Sequence, residues 1–235
     1  MPSIFVQIPA YHDLEIIKTL ESLNFRSSGE NVINVGVHFN YYNELPAVVE
    51  KSLKSQFSKI KVSTIFNQAP LAIGPSISRY IANSFYDDED FYLQIDSHMK
   101  FRPNWDLAVL ADFEKLSSMY KSKIAISEYP YSYMYDDVLD GGWNYEPRNS
   151  NVVEQNDIDW IGHIVAKKIK PSIDRCKYRN ITDNRHNHVS GAFLFSDGSM
   201  HEIYTTKPNV LIEETILSLR NSAKWPRNFG RRGAI

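Results

Sequence analysis

One cysteine, Cys176, in 235 residues excludes an internal disulfide framework and leaves no thiolate pair for zinc. No histidine-partner motif surrounds it, so it is an ordinary thiol rather than a nucleophile. Charge of one sign is lacking too. The 26 basic residues face 28 acidic ones, which argues against a general nucleic-acid surface. Only the tail is locally basic, through Arg227, Arg231 and Arg232. No apolar run is long enough to span a membrane, and the residues from Met1 to Ile4 lack the charged segment and apolar core of a secretory signal. Repeats and low-complexity stretches are missing as well. These absences point to a soluble chain in a reducing, cytoplasmic compartment.

What the chain does have is material for a core. Hydrophobic residues make up 43% and aromatics 13%, with 14 Tyr and 12 Phe available for strands and ligand-contacting walls. The length suits one α/β domain over residues 1–235, read as two halves, 1–128 and 129–235, where the texture of the chain changes. Short apolar runs at residues 4–8, 32–37 and 61–66 have the texture of buried parallel strands. Helical spacing separates them. Asp13 can cap a helix carrying Ile16, Ile17, Leu20 and Leu23, and residues 44–57 place Leu45, Val48, Val49, Leu53 and Phe57 on one face. After Gly74, Pro75 suits the first turn of a helix whose inner face is Ile77, Ile81 and Phe85. Alternation of this kind predicts a mainly parallel central sheet flanked by helices, with ligands beyond the carboxyl ends of the strands. Further on, Trp105, Leu110, Phe113 and Leu116 predict a helix, residues 124–127 a strand, residues 161–169 another, and residues 209–221 a last helix.

The chemistry concentrates around residues 90–99. Phe91, Leu93 and Ile95 alternate with Tyr92, Gln94 and Asp96, and the strand then delivers His98 on the same side as Asp96. A carboxylate oxygen and an imidazole nitrogen suit a borderline divalent ion such as Mn²⁺. The same pattern also fits a strand that merely stops in a polar turn. Arg79, near a helix start, either reaches a phosphate or is simply solvated. The acidic turn at residues 87–90 is expected to be solvated. Residues 129–147 interleave Tyr and Trp with Asp, Gly and Pro, making a poor helix and a poor strand. Such a segment suits a sugar-ring or acceptor-peptide contact. Gly191, within the strand entry at residues 188–195, permits close backbone approach.

Taken together, residues 4–13, Gly74 and Pro75 with Ser78 and Arg79, and the run from Tyr92 to Asp106 resemble the GlcNAc-transferase family, typified by cytoplasmic hydroxyproline N-acetylglucosaminyltransferases. The 188–195 segment and Glu213, Glu214 and Arg220 fit later parts of the family pattern. The resemblance implies a GT-A fold and a metal-dependent enzyme that moves GlcNAc from a UDP-sugar to a protein or glycan hydroxyl, with retention. It makes Asp96-Ser97-His98 the DXD-type motif, with Asp96 and His98 as ligands of Mn²⁺ or Mg²⁺. It also places Tyr11, Asp13 and Arg79 at the nucleotide, and Glu213 or Glu214 near the sugar or acceptor. Departures from the family are His12 in place of Arg and Ile212 in place of Gly. The family's further metal-binding histidine falls to His188, His186 or His201, with His188 preferred. On this reading Asp96→Ala abolishes Mn²⁺-dependent UDP binding and leaves the fold intact. A second reading is an inactive nucleotide-sugar or glycan-binding module on the same fold. A third is a metal-dependent phosphoesterase or nucleotidyltransferase, which would want more carboxylates beside Asp96.

Overall fold

In the computed structural model the apolar opening run becomes β1 (Ser3–Tyr11), and the description covers residues 1–69, 73–120, 124–127, 133–135, 145–147 and 191–204. Next come α1 (Glu15–Arg26), β2 (Val32–Tyr41), α2 (Ala47–Leu53) and β3 (Lys61–Gln68). The chain continues with α3 (Pro75–Ala82), β4 (Phe91–Ile95), α4 (Trp105–Tyr120) and β5 (Ala125–Ser127). The short strands β6 (Tyr133–Tyr135) and β7 (Tyr145–Pro147) precede β8 (Phe193–Asp197). Six of the strands form one sheet in the order β3-β2-β1-β4-β8-β5. The β1, β2, β3 and β4 pairings are parallel, and β8 runs antiparallel between β4 and β5. The mainly parallel sheet expected from the alternating runs is therefore present.

The order places β2 on one side of β1 and β4 on the other. Successive connections leave β1 in opposite directions, so a crevice opens above its carboxyl end, where sheets of this kind bind ligands. The core that fixes this geometry is one cluster built from Val6 and Ile8 of β1, Val35 and Val37 of β2, and Leu93 and Ile95 of β4. From the helices, Ile16, Leu20 and Trp105 close over it. Trp105 is fully buried and donates its indole N–H to the Leu23 carbonyl, as a core residue should.

Several helical expectations are corrected. The helix expected at residues 44–57 is confined to Ala47–Leu53, because Pro46 holds an extended ψ of 122° and cannot continue a helix from Leu45. Val48 is exposed, and the inner face is Val49 and Leu53. In α3 the buried face is Ser76, Ser78, Arg79 and Ala82 rather than Ile77, Ile81 and Phe85. The reason is proximity: a Cβ on Gly36 of β2 would lie 2.7 Å from the Ala82 carbonyl oxygen and 2.7 Å from Phe5 Cζ. Only small or specifically satisfied side chains fit there. Nor is the acidic turn simply solvated. Glu89 is buried and accepts from Asn34 Nδ2, while Asp90 accepts from the Ser3 amide and hydroxyl. Residues 129–147, expected to suit neither regular form, contain the antiparallel pair β6–β7, with Tyr135 opposite Tyr145. Aromatic residues favour a pleated pairing of this sort. The strand expected at residues 161–169 and the helix at 209–221 lie outside the described residues.

Since β2 and α3 approach without room for a methyl group, Gly36→Ala is expected to cost about 1–3 kcal/mol of stability, read by urea unfolding. An unchanged midpoint would mean that α3 yields without strain.

Candidate active site

A cleft of about 310 Å³ lies above the carboxyl ends of β1, β2 and β4, with Tyr11, Asp13, Asn40, Ser78, Asp96 and His98 in its walls. Four of the residues expected at the site, Tyr11, Asp13, Asp96 and His98, thus converge from segments far apart in the chain. Tyr11 is exposed at the end of β1 and lines the opening. His12 turns the chain with a left-handed φ of 49° and donates its amide to the Asn40 carbonyl, which brings Asp13 round over the sheet edge.

Asp13 ties two elements together. Its Oδ1 accepts the Glu15 amide at 2.9 Å, satisfying an otherwise orphaned N–H at the start of α1. Its Oδ2 accepts the Ser97 hydroxyl at 2.5 Å and pairs with His98 Nδ1 at 3.0 Å. Burial pushes the Asp13 carboxyl up, but hydrogen bonds from His98, Ser97 and the Glu15 amide outweigh it and hold it below the usual carboxylate range. The same bond to Asp13, reinforced by the charge of Asp96 and opposed by burial, raises His98 above the ordinary imidazole value. The loop that carries them is pinned from α1. Thr19 Oγ1 donates to the Ser97 carbonyl and accepts the Met99 amide, and Ser22 Oγ accepts the Phe101 amide.

Arg79 differs from both expectations held for it. It is 1% exposed, so it is not solvated, and its guanidinium is turned towards the protein. Nη1 donates to the Ile95 carbonyl, and Nη2 donates to Asp96 Oδ1 at 3.0 Å and to the Gly191 carbonyl at 2.7 Å. Arg79 orients the acid at the end of β4 from below. Gly191 supplies the close backbone approach its sequence suggested, accepting from Gln94 Nε2 as well.

The donor set fits a divalent ion on chemical grounds. Asp13 occupies Nδ1 of His98 and so leaves Nε2 as the nitrogen open to a cation, the carboxylate–imidazole arrangement typical of metal-binding histidines. Arg79 takes Oδ1 of Asp96, and among the described residues no hydrogen bond reaches Oδ2. Among the described residues no group of three His, Cys, Asp or Glu side chains forms a fuller metal cluster. His201 is removed from the reckoning. It stacks on Tyr86 at 4.4 Å, following Asp197, which pairs with Phe91 at the opposite end of β4 from Asp96. His186, His188, Glu213 and Glu214 lie outside the described residues.

A polar chain that sequence reading missed runs beneath the cleft. Asn67 Nδ2 donates to Asn40 Oδ1 at 3.1 Å, Asn40 Nδ2 donates to Ser78 Oγ at 2.9 Å, and His38 Nδ1 meets Ser78 Oγ at 2.9 Å. The signal was available: His38 and Asn40 lie one strand repeat apart at the end of an otherwise apolar run. Burial pushes the His38 imidazole down to about 4, so it is neutral near pH 7.

Fold and cleft together define a GT-A-type α/β domain. Residues 43–208 match the family described as Glycosyltransferase (GlcNAc), more than half of the chain, and the chain belongs to that family. A search of the curated proteins finds no match. Among solved structures, S. aureus TarS 1–349 is similar with a TM-score of 0.50 and 15% identity, over 94% of this chain and 55% of that one. The mannosyltransferase PcManGT from Pyrobaculum calidifontis, in complex with GDP-Man and Mn²⁺, is similar with a TM-score of 0.52 and 8% identity, over 94% and 52%. The chain spans about half the length of each. At these identities the likeness establishes the fold.

The two histidines act on stability in opposite pH ranges. Below 6.5 the unfolded chain protonates His38 while the folded chain does not, so stability rises with pH from about 4 to 6.5, by about 3 kcal/mol for this group. His98 has the opposite sign. Its raised folded value stabilises below 6.5, and that contribution is lost as pH rises through it, weakly because the ring is more than half exposed. Burial pushes the Asp112 carboxyl up to about 6, which opposes His38 over the same range, so the test is a comparison: the rise of urea stability from pH 4 to 6.5 is expected to be smaller in His38→Gln than in wild type. An unchanged slope in that variant would rule out His38 as its source.

Proposed function

We propose that this chain is a metal-dependent glycosyltransferase that moves a sugar, GlcNAc in preference, from a UDP-sugar to a hydroxyl of a protein or glycan with retention. The observation that carries this reading is the pairing of Asp13 with His98 Nδ1, which leaves Nε2 open in the cleft that the arginine-held Asp96 also lines, at the switch point of the sheet. Membership of the GlcNAc glycosyltransferase family supports it. In this reading Asp96 and His98 hold Mn²⁺ or Mg²⁺, whose chemistry is to neutralise charge on the departing diphosphate. The Mn²⁺ in the PcManGT complex supports the choice of ion.

The chain's own residues then divide the work. Asp13 holds the His98 ring in one tautomer, Arg79 fixes the direction of Asp96, and Tyr11 walls the nucleoside side of the cleft. His188 is the proposed third ligand. Gly191, three positions on in sequence, already touches the guanidinium that holds Asp96, which supports that choice. Glu213 and Glu214 are assigned to the sugar or acceptor, and the aromatic segment at 129–147 to acceptor binding. No described helix is long and apolar enough to cross a membrane, and the cytoplasmic setting belongs to this same proposal.

Asp96→Ala is a poorer test than the sequence suggested, since it strips the buried Arg79 guanidinium of its carboxylate, a loss that costs about 3–5 kcal/mol in buried pairs. Asp96→Asn keeps a hydrogen-bond acceptor for Arg79 and removes the charge. We expect wild-type protein to release UDP from UDP-GlcNAc with Mn²⁺ and not with EDTA, and Asp96→Asn to lose this release. Asp13→Asn, acting through the imidazole, should weaken Mn²⁺-dependent UDP binding by about 10–100-fold. UDP release that persists in EDTA, or that survives Asp96→Asn, would exclude this site as the metal centre.

A further inference from the structure

The polar chain beneath the cleft ends on a hydroxyl whose hydrogen-bonding capacity is largely used up. Asn40 stands opposite Tyr11 on β1 and opposite Asn67 on β3, so its amide is gripped in the sheet. Asn67 donates to Asn40 Oδ1, which fixes the amide orientation and turns Nδ2 towards Ser78 Oγ. His38 meets the same oxygen through Nδ1, and its Nε2 is buried without any partner. A buried N–H left without an acceptor is rarer and more costly than a bare ring nitrogen. The hydrogen therefore sits on Nδ1 and is donated to Ser78. Burial that keeps this imidazole neutral supports a single-proton ring. Ser78 Oγ then receives two donated hydrogens, from Asn40 and from His38. Among the described residues no acceptor is bonded to its own hydrogen, and Ser78 lines the cleft, so that hydrogen is directed there.

The position of this hydroxyl along the cleft says what meets it. Asp96 follows the last residue of β4 and Asn40 lies near the end of β2, with β1 between the two strands. Two strand spacings separate them, about 10 Å, which is the scale of a diphosphate joined through a ribose to a base. A nucleotide whose phosphates lie at Asp96 and His98 brings its base to Ser78.

We propose that Ser78 selects the base of the nucleotide donor by presenting a fixed hydrogen-bond donor to its 4-position, so that the cleft accepts a base with a carbonyl oxygen there, as in uracil, over one with an amine there, as in cytosine. The Asn67–Asn40 pair and His38 are positioning residues that hold Ser78 in this state. This inference rests on the nucleotide-sugar reading of the cleft.

Calorimetric titration of the full chain with UDP and with CDP, both in Mn²⁺, tests it. Wild-type protein is expected to favour UDP roughly tenfold or more, the scale on which a site built to bond a polar group rejects its mismatch. Ser78→Ala should bring the two affinities together, and Ser78→Thr, which keeps the hydroxyl, should restore the preference. Asn67→Ala lies on a part-exposed position and leaves the core intact, so it covers the case in which Ser78→Ala does not fold. Freed from Asn67, the Asn40 amide can turn, and the UDP preference should narrow. Equal wild-type affinities, or a preference unchanged in Ser78→Ala or in Asn67→Ala, would overturn the role of Ser78 and leave the nucleotide site standing. Wild-type protein that binds neither nucleotide would remove both.

Discussion

A buried guanidinium needs an opposite charge and directed acceptors, and the way Arg79 finds them through Nη1 and Nη2 organises this domain. Its cost of desolvation is offset only by an opposite charge and well-directed acceptors. Those acceptors are the Ile95 carbonyl at the end of β4, the Asp96 carboxylate one residue on, and the Gly191 carbonyl ahead of β8. One side chain of α3 therefore sets where two neighbouring strand ends stop. Gln7 on β1 adds to the arrangement by donating to the Arg79 carbonyl at 2.7 Å. Held by Arg79 through Oδ1, Asp96 lines the cleft.

Around this centre the ionisable groups are sorted by environment. His38, fully buried with no opposite charge bonded to it, is held neutral. His98, more exposed and joined to Asp13, is held more basic than usual. One histidine thus serves as a fixed dipole under the cleft, while the other keeps a nitrogen available to a cation at its rim. The Asp13 carboxylate allows this by serving the start of α1 and the Ser97–His98 loop with different oxygens.

Much of the fold was legible because strand and helix periods differ and the sheet is nearly all parallel. β1, β2, β3 and β4 appeared as apolar runs, and Asp96 with His98 appeared as the polar end of one of them. α3 was misread because its pattern places Ile77 and Ile81 on a hydrophobic stripe, whereas a close approach to Gly36 selects the opposite, smaller face. Arg79 was misplaced for the same reason. Local sequence does not reveal that a distant loop supplies its carbonyl. Gln7 and Gln94, polar residues inside apolar runs, were the overlooked hint that a buried polar centre lay beneath the strand ends. The Asn67–Asn40–Ser78 relay depends on sheet register, which pattern alone does not set.

We propose that Asp96 and His98 are brought together to hold a divalent ion at a nucleotide diphosphate. Crystals grown with Mn²⁺ and UDP, measured at the manganese absorption edge, test it most directly. The account predicts an anomalous peak between Asp96 Oδ2 and His98 Nε2, in contact with the diphosphate, while Asp13 stays on Nδ1. UDP bound in the cleft with no anomalous peak at these two atoms would contradict it.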